Sequence, residues 1–309
     1  MKSTTKKIYS HLTDSKTMAA MRIQSKVLEV VHKQFRKDSF IEIPPVIATP
    51  LTDPLAHSVH KSDIFYEGQK LSLTKSMIFH KQLALIGKGN KKIYIVSPNI
   101  RLEKSFEAKS RHLLEFQQID FEIYKAKKKD VYDLMEKLLV EIVKSVKKDC
   151  AKELKLFKRK LEVPKRPFPV YKTYELEEKY GENFEEIMSK KSKTPFWLES
   201  FYREFYDKED PKKRGEFINY DLIYPEGFEE GLSGGEREHE YKVILRKMKE
   251  RKMDLSPYKI YLDLAKNGKI PQSAGAGFGV QRLLRYLTGE RKIEKMCLFP
   301  RSPREKIIF

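Results

Sequence analysis

The sequence predicts an α+β domain in which an antiparallel or mixed β-sheet is flanked by helices. Three observations favour this fold class. Apolar runs with strand-like alternation are separated by segments with helical spacing. The runs before Arg101 and after Leu114 are typical of two antiparallel strands joined by a charged loop. The chain has 309 residues without an internal repeat or low-complexity tract, which favours one domain with its own core.

The spacing of apolar residues assigns the elements in order. The first long helix spans 16–37, because its apolar residues fall on one face, namely Ala20, Ile23, Val27, Val31 and Phe35. A strand at 40–43 follows and is stopped by two prolines. Further predicted helices are 77–86, 131–146, 174–180 and a last helix that begins at the glycine-rich segment 275–279. Further predicted strands are 69–75, 92–97, the pair that flanks 101–114, 196–198 and 217–224.

The composition excludes several classes of protein. Two cysteines, Cys150 and Cys297, provide neither a disulfide framework nor a zinc site, which is typical of a reducing cytoplasm. No apolar run approaches the ~20 residues that span a membrane. Residues 1–16 are polar and lack the apolar core of a signal peptide. We therefore expect a cytoplasmic protein without a membrane partner, with an N-terminal arm at 1–15 and one domain at 16–309.

The net charge of +19 has two interpretations. A basic surface gains free energy when it displaces counterions from nucleic acid. Alternatively, the lysines that crowd 144–172 form a solvated surface that keeps the chain soluble or tolerant of heat. Aromatic residues are not interleaved with the lysines, as they are in single-strand binders, so a nucleic-acid partner is possible but not expected.

One segment carries a set of polar and aromatic side chains suited to a nucleotide. Arg101 ends a predicted strand, where its guanidinium can grip an α-phosphate, and Glu103 can accept from an adenine amino group. Phe116, on the returning strand, offers a face for stacking a base. Gln118 and Asp120 share its alternation, so Asp120 could hold a substrate ammonium. Taken singly, Arg101 and Glu103 are better explained by a cross-strand salt bridge and Phe116 by the core, whereas the ordered set favours a nucleotide site.

The second segment is G275-A276-G277-F278-G279, followed by Arg282. The glycines at alternate positions have no side chain, so a ligand can approach the backbone closely there. Arg282 would then project toward a terminal phosphate. The spacing differs from that of the dinucleotide-binding glycine motif, so this segment is weak evidence by itself.

Taken together, these segments resemble motifs 2 and 3 of class II aminoacyl-tRNA synthetases, closest to the aspartyl and asparaginyl group. F-I-E-I-P-P at 40–45 is similar to a shortened motif 1, the dimer element, and L-F-P-R at 298–301 is similar to the end of chains in this group. The resemblance covers about 16–305. It implies a six-to-seven-stranded antiparallel sheet, a homodimer, ATP bound in a bent form with Mg²⁺, and an aminoacyl adenylate.

The resemblance also implies roles for single residues in ATP binding. Arg101 matches the α-phosphate arginine, Arg282 matches the γ-phosphate arginine, and both are candidate catalytic residues. Glu103 and Phe116 match the adenine contacts. His112 lies near the outer phosphates. Gly279 lies at the end of the glycine segment in the same site.

Two carboxylates match those that hold magnesium in the family, Asp221 and Glu230. Two extra residues separate them here, so Glu229 could take the place of Glu230. Carboxylates that face phosphate oxygens are ligands that Mg²⁺ prefers. A solvated acidic loop is the other interpretation.

The resemblance further implies a pocket for aspartate. Lys81 matches a lysine that reads the substrate carboxylate in aspartyl enzymes, and Arg237 matches an arginine for the side-chain end. Two cations fit a carboxylate better than a neutral amide. Ile78 stands where the family has a glutamine, which departs from the pattern.

The other residues assigned to the amino acid are Ser76, Gln118, Asp120 and Asp53. Asp53 follows the motif 1 region and either orients an amino group or ammonia, or caps a turn before a proline.

The aspartyl and asparaginyl enzymes carry an anticodon-binding domain before the catalytic core, whereas here the motif 1 helix begins near residue 16. The chain therefore resembles archaeal asparagine-synthetase-related proteins. Its expected reaction is similar to that of the bacterial ammonia-dependent asparagine synthetase. The reaction implied is aspartate, ATP and ammonia giving asparagine, AMP and pyrophosphate through β-aspartyl-AMP. Free ammonia is expected because no glutaminase segment is present.

Two other functions remain open. A stand-alone paralogue could activate the amino acid and pass it to tRNA or to another macromolecule, which the net charge favours. A binding module that has lost catalysis is disfavoured by the intact Arg101, Phe116, Asp221 and Arg282. Amide formation requires activation of the β-carboxylate and tRNA charging requires the α-carboxylate, and the sequence leaves both orientations open.

Overall fold

The structure is a computed structural model that describes residues 3–55, 57–104 and 111–303. Its helices are α1 Ser3–Leu12, α2 Ser15–Lys37, α3 Ile78–Ala84, α4 Lys128–Asp149, α5 Ala151–Leu156, α6 Thr173–Tyr180, α7 Phe184–Lys191, α8 Tyr241–Glu250, α9 Lys259–Lys266 and α10 Val280–Thr288. Two 3-10 helices lie at Ser256–Tyr258 and Ile293–Met296.

The strands are short at the chain's start and longer in the central sheet. They are β1 Ile41–Glu42, β2 Ala48–Thr49, β3 Val59–His60, β4 Asp63–Tyr66, β5 Gln69–Leu73, β6 Lys92–Ile100, β7 Leu102–Glu103, β8 Glu115–Tyr124, β9 Val170–Lys172, β10 Phe196–Glu199, β11 Glu209–Asp210, β12 Lys213–Phe217, β13 Asn219–Tyr224, β14 Glu229–Glu236 and β15 Ser273–Gly279.

An eight-stranded sheet organises the molecule, in the order β1-β6-β8-β15-β14-β13-β10-β9. The strands from β6 to β10 in that order pair antiparallel, whereas β1 and β9 pair parallel to their neighbours at the two edges. The predicted α+β class with an antiparallel sheet is therefore confirmed. The implied count of six to seven strands was low because each edge adds a strand of only two or three residues.

The two faces of the sheet differ in character. Alternate residues of β8, such as Ile119 and Phe121, are buried against α2 and α4 in the main apolar core. The residues between them, Gln118, Asp120 and Glu122, therefore project from the opposite face. The helical spacing predicted for 16–37 is confirmed, and Asp14 caps α2 by accepting from the Thr17 amide. One face thus carries the helices, and the other carries polar side chains.

The glycine segment is a strand for its whole length, which corrects the prediction of a helix that begins there. Its pairing with β8 places Gly277 opposite Asp120 and Gly279 opposite Gln118. α10 begins only at Val280. Glycines at alternate positions suit a central strand here because a β-carbon at Gly275 would collide with the Phe121 carbonyl.

Other boundaries differ from the predictions in smaller ways. The predicted strand 217–224 is split between β12, which pairs with β11, and β13, which joins the main sheet. The sequence analysis did not assign α7, α8 or α9, although Ile244 and Met248 of α8 are spaced by four residues and both are buried. The predicted arm is helical where it is described: α1 has no buried residue, and His11 Nε2 lies 3.0 Å from the Cys297 carbonyl oxygen.

None of the helices within the described ranges has the length and apolar character needed to cross a bilayer.

Candidate active site

A cavity of about 450 Å³ lies over the polar face of the sheet. Residues assigned to ATP line it, namely Arg101, Glu103, His112, Phe116, Glu230, Gly279 and Arg282. Of the residues assigned to the amino acid, Asp53 and Gln118 line it. Asp221, Ser76, Lys81, Asp120 and Arg237 lie behind this lining and are buried. Residues 105–110 of the predicted motif 2 loop lie outside the described part of the chain.

Arg101 and Phe116 meet where β6 ends and β8 begins. Phe116 is paired with Asn99 in the ladder, so its ring lies beside the end of β6. The Arg101 guanidinium carbon is 5.2 Å from the ring centroid, within range of a cation–π contact. Arg101 Nε donates to the Lys75 carbonyl at 3.1 Å. The arginine therefore lies over a ring face on which a base could stack.

Glu103 has a partner that the sequence did not indicate. His57 Nε2 lies 3.1 Å from both carboxylate oxygens of Glu103. The two residues meet because β3 pairs with β7. Burial raises the pKa of Glu103, but the hydrogen bond and charge of His57 more than offset this and lower it. The carboxylate is thus ionised and ready to accept from an amino group, with His57 as its present partner.

Arg282 and Glu230 form an ion pair at the end of the cavity that the sequence analysis assigned to the phosphates. Arg282 Nη1 lies 3.0 Å from Glu230 Oε1. Burial raises the pKa of Glu230, yet Arg282, Arg111 and Arg203 together lower it to about 2. Glu229 instead pairs with Arg111 at 2.5 Å and does not line the cavity. Of the two acidic residues considered, Glu230 is therefore the one that faces the cavity.

His112 lies among these charges in a neutral form. Burial and the positive charge of Arg282 lower its pKa to about 4, against the opposing effect of Glu103. Near neutral pH its imidazole therefore adds a hydrogen-bonding group and no charge to the phosphate end.

Asp221 has a cationic partner, Arg203, which no motif indicated. Arg203 Nη1 donates to Asp221 Oδ1 at 2.7 Å, and its Nη2 contacts Oδ2, so the pair is bidentate. Arg203 Nη1 also donates to the Ser233 hydroxyl at 2.5 Å. Burial raises the pKa of Asp221 to about 7, and Arg203 limits the rise.

The carboxylates Asp221 and Glu230 fit a magnesium ion only in company with ATP. Among the described residues, no group of three or more histidine, cysteine or acidic side chains is arranged to hold a metal alone. Mg²⁺ is commonly held by one or two carboxylates plus substrate phosphates, and this donor set has that composition. Arg203 must release Asp221 before that carboxylate can serve as a ligand.

Lys81 is buried and fully engaged with protein groups. Its Nζ donates to Asp120 Oδ1 at 2.9 Å and to the Ala276 carbonyl at 3.1 Å, and lies 3.8 Å from Glu122 Oε2. Asp120 Oδ2 is buried and has no hydrogen-bond partner among the described residues. Asp120 therefore binds Lys81 through one oxygen and keeps the other available.

Arg237 is engaged in the same way. Its Nε donates to Glu122 Oε1 at 3.1 Å, and its Nη2 donates to the Gly275 carbonyl at 3.0 Å. Its Nη1 lies 3.4 Å from Asp207 Oδ1. Glu122 reaches it because the absence of a side chain at Gly275 leaves room beside β8.

These contacts correct the prediction of a doubly cationic pocket. Three buried carboxylates, Asp120, Glu122 and Asp207, surround the two cations, so the cluster carries no excess of positive charge in this state. The sequence analysis assigned no role to Glu122 or Asp207. Their partners lie far away along the chain, and no local pattern links them.

Asp53 caps a turn, as one of the two interpretations expected, and it also lies at the cavity. Its Oδ1 accepts from the Leu55 amide at 3.0 Å, as in a capped turn, and it also lines the cavity. Its Oδ1 further accepts from the Tyr206 hydroxyl at 3.1 Å, and its Oδ2 accepts from the Ser76 hydroxyl at 2.8 Å. Ser76 thus orients Asp53 from behind the wall of the cavity.

Comparison with known proteins identifies the family and supports the fold. A family model described as tRNA synthetases class II (D, K and N) matches residues 1–303. Asparaginyl-tRNA synthetase from Pyrococcus horikoshii, complexed with asparaginyl-adenylate, superposes with a TM-score of 0.87 at 24% identity, over 97% of this chain and 72% of that one. Asparaginyl-tRNA synthetase from Entamoeba histolytica, with the same type of ligand, gives 0.81 at 22% identity, over 92% and 67%.

Aspartyl-tRNA synthetase from Entamoeba histolytica also shares the fold, with a TM-score of 0.76 at 25% identity, over 95% of this chain and 60% of that one.

Proposed function

The chain belongs to the class II tRNA synthetase family that includes the enzymes for aspartate, lysine and asparagine, and we propose that it activates aspartate with ATP and transfers the activated group to ammonia. Members of the family are ATP-dependent ligases that activate amino acids. The products would be asparagine, AMP and pyrophosphate. The observation that carries the proposal is the convergence of Arg101, Phe116 and Arg282 on one cavity.

The first step would be attack by an aspartate carboxylate oxygen on the α-phosphorus, with loss of pyrophosphate. Arg101 would bind the α-phosphate and stabilise the charge that develops there, and Arg282 would bind the γ-phosphate. Phe116 would stack on adenine once the Arg101 guanidinium turns from its ring to the phosphate. When bound, magnesium at Asp221 and Glu230 would neutralise phosphate charge.

The buried ion pair of Lys81 and Asp120 supports an amino acid with both signs of charge as the substrate. Lys81 could exchange its Asp120 partner for a substrate carboxylate, while Asp120 turns to the substrate ammonium. Such an exchange would keep every buried charge paired, which avoids the cost of an isolated charge. For asparagine to form, the β-carboxylate must face ATP.

The choice of ammonia as the acceptor is supported by the cavity wall that carries Asp53 and Glu204. Carboxylates repel a phosphate-rich acceptor end and attract a small cation. The alternative is a stand-alone paralogue that passes its amino acid to tRNA or another macromolecule, and the net charge of +19 favours it.

The test is an incubation of the purified protein with aspartate, magnesium-ATP and an ammonium salt, without tRNA. We expect asparagine in step with AMP, and we expect Arg101→Ala to abolish both products. AMP or a trapped adenylate without asparagine would favour the alternative acceptor. Normal turnover by Arg101→Ala would contradict adenylate chemistry at this cavity.

We also propose a cytoplasmic homodimer. β1 and the β4–β5 hairpin carry exposed apolar side chains, such as Ile41 at 46%, Phe65 at 73% and Tyr66 at 63% exposure, which suit a protein interface. Sedimentation velocity would test this: the dimer predicts one species of twice the 36.5 kDa chain, and a species of 36.5 kDa would contradict it.

A further inference from the structure

We propose that Asp53 and Glu204 form a subsite for an ammonium ion, and that the Glu204 carboxylate accepts the proton whose loss produces ammonia. This inference rests on the proposed function and assigns a binding site and a base to its second step. The sequence analysis gave Glu204 no role.

Glu204 is a carboxylate without a hydrogen-bond donor. It lies on the loop between β10 and β11, lines the cavity and is only 8% exposed. Its side chain makes no hydrogen bond with any residue in the described ranges. The nearest cation, Arg251 Nη1, is 3.7 Å from Oε2, beyond hydrogen-bonding distance. A carboxylate in this position can accept hydrogen bonds from a ligand in the cavity.

The surroundings of Glu204 favour a cationic ligand. The charged and titratable groups that face it are Asp53 on the loop after β2, Arg203, Tyr206 and Asp207 on its own loop, Arg251 after α8, and Tyr258 in the first 3-10 helix. Arg203 is paired with Asp221 and Asp207 with Arg237, which leaves Arg251 as the remaining cation beside the two carboxylates Asp53 and Glu204. Aspartate and ATP are anions, so neither suits this wall.

Asp53 and Glu204 lie on the same wall as Tyr206, whose hydroxyl donates to Asp53. An ammonium ion has four N–H donors, which is enough to bond to more than one carboxylate. The substrate's own ammonium has a different candidate partner, because Asp120 Oδ2 remains unpaired beside Lys81. The two cationic groups of the reaction thus have separate carboxylates.

The chemistry of amide formation requires a base at this position. Burial, with Asp53 and Asp207 nearby, raises the pKa of Glu204 to about 8, so the carboxyl group exchanges a proton near neutrality. The ammonium ion binds the ionised form of Glu204, which its positive charge favours, transfers one proton to that carboxylate and becomes ammonia. The nitrogen lone pair then attacks the acyl carbon of the adenylate, and a C–N bond forms. The C–O bond to the phosphate breaks, AMP leaves with that electron pair, and the nitrogen loses its surplus proton to solvent.

Hydroxylamine separates this role from a structural one, because it is largely uncharged at neutral pH and needs no base to attack the adenylate. We expect Glu204→Gln to raise the KM for ammonium at least tenfold. The ratio of aspartyl hydroxamate to asparagine, measured with each nucleophile in separate assays, should rise at least tenfold. Glu204→Asp should restore part of the loss. Glu250→Gln, the same change at an exposed site, should leave the ratio unchanged.

Other outcomes would overturn the subsite alone or the proposed function with it. An equal fall with both nucleophiles, or an unchanged KM for ammonium in an active Glu204→Gln enzyme, would overturn the subsite alone. A rise in the KM for aspartate without one for ammonium would assign Glu204 to the substrate's amino group and also overturn it. Absence of asparagine with the wild-type chain, despite aspartate-dependent pyrophosphate exchange, would overturn the proposed function and the subsite with it.

Discussion

Asp221 binds Arg203 and is also a proposed ligand of magnesium, so the two cations would compete for it. Arg203 holds both of its oxygens in the structure, and magnesium would need at least one of them. A buried carboxylate that loses its only cation is strongly destabilising. Arg203 therefore stabilises the ionised form of Asp221, and the proposed binding of magnesium-ATP would require its release.

This competition predicts a metal-dependent rescue. Arg203→Met should lower the free energy of unfolding by about 3–5 kcal/mol, because Asp221 is left buried without its partner. Magnesium-ATP should restore part of the loss, whereas ATP without the metal should not. Thermal unfolding with ATP, in the presence and absence of Mg²⁺, measures both effects. Arg214→Met, at an exposed arginine, is the control, and an equal response of both variants to magnesium-ATP would contradict the competition.

The titration of Glu204 predicts how the stability of the folded chain depends on pH. Its pKa is about 8 in the folded chain against an ordinary 4.5, so the folded state keeps a proton that the unfolded state loses between those values. Its contribution to stability is therefore present below pH 4.5 and declines as the pH rises toward 8.

Glu204→Gln removes the titrating group, so the stability of the variant relative to wild type should increase from pH 5 to pH 8. Urea unfolding at both pH values measures this difference. A difference that stays constant with pH would show that Glu204 titrates normally in the folded chain.

The strands of the main sheet show why the direction of a side chain could be predicted from the sequence and its distant partners could not. The alternation of β8 placed Phe116, Gln118 and Asp120 on one face, and the sheet confirms it, because side-chain direction in a strand depends only on local spacing. The partners of such residues depend on which strands become neighbours. Arg237 meets Glu122 across 115 positions of sequence, and no local pattern contains that pairing.

Two glycines of β15 differ in how much room a β-carbon would have, so substitutions at them test where the amino acid binds. A β-carbon at Gly277 would collide with Gln118 and lie 2.7 Å from Asp120 Oδ1, whereas one at Gly279 would meet only Arg282 at ordinary contact distances of 3.8–3.9 Å. Gly277→Ala should therefore raise the KM for aspartate at least tenfold, because it displaces side chains beside Lys81. Gly279→Ala should change it by less than twofold. Steady-state kinetics measures the KM for aspartate of both variants, and circular dichroism verifies that they fold. Similar KM values for the two variants would contradict the proposed position of the amino acid.

At the scale of the whole molecule, the surface charge and the cavity charge favour different partners. The net charge of +19 attracts any polyanion, including tRNA. The arginine side of the cavity suits ATP, and the side with Asp53 and Glu204 suits a small cation. Surface binding of RNA would therefore be electrostatic and would not by itself make RNA a substrate.

This separation predicts how the protein responds to salt and to tRNA. Binding of tRNA should weaken steeply as KCl rises from 50 to 200 mM, because counterion release dominates it; a loss of ~10³-fold is typical for six phosphate contacts. Asparagine formation should be unchanged by added tRNA or by ribonuclease at the higher salt, since ammonia reaches the adenylate without RNA. Filter binding and an asparagine assay on the same preparation measure the two effects. If tRNA retained its affinity at 200 mM KCl and became acylated with aspartate, the paralogue function would be correct, because the basic surface would then be presenting an acceptor to the cavity.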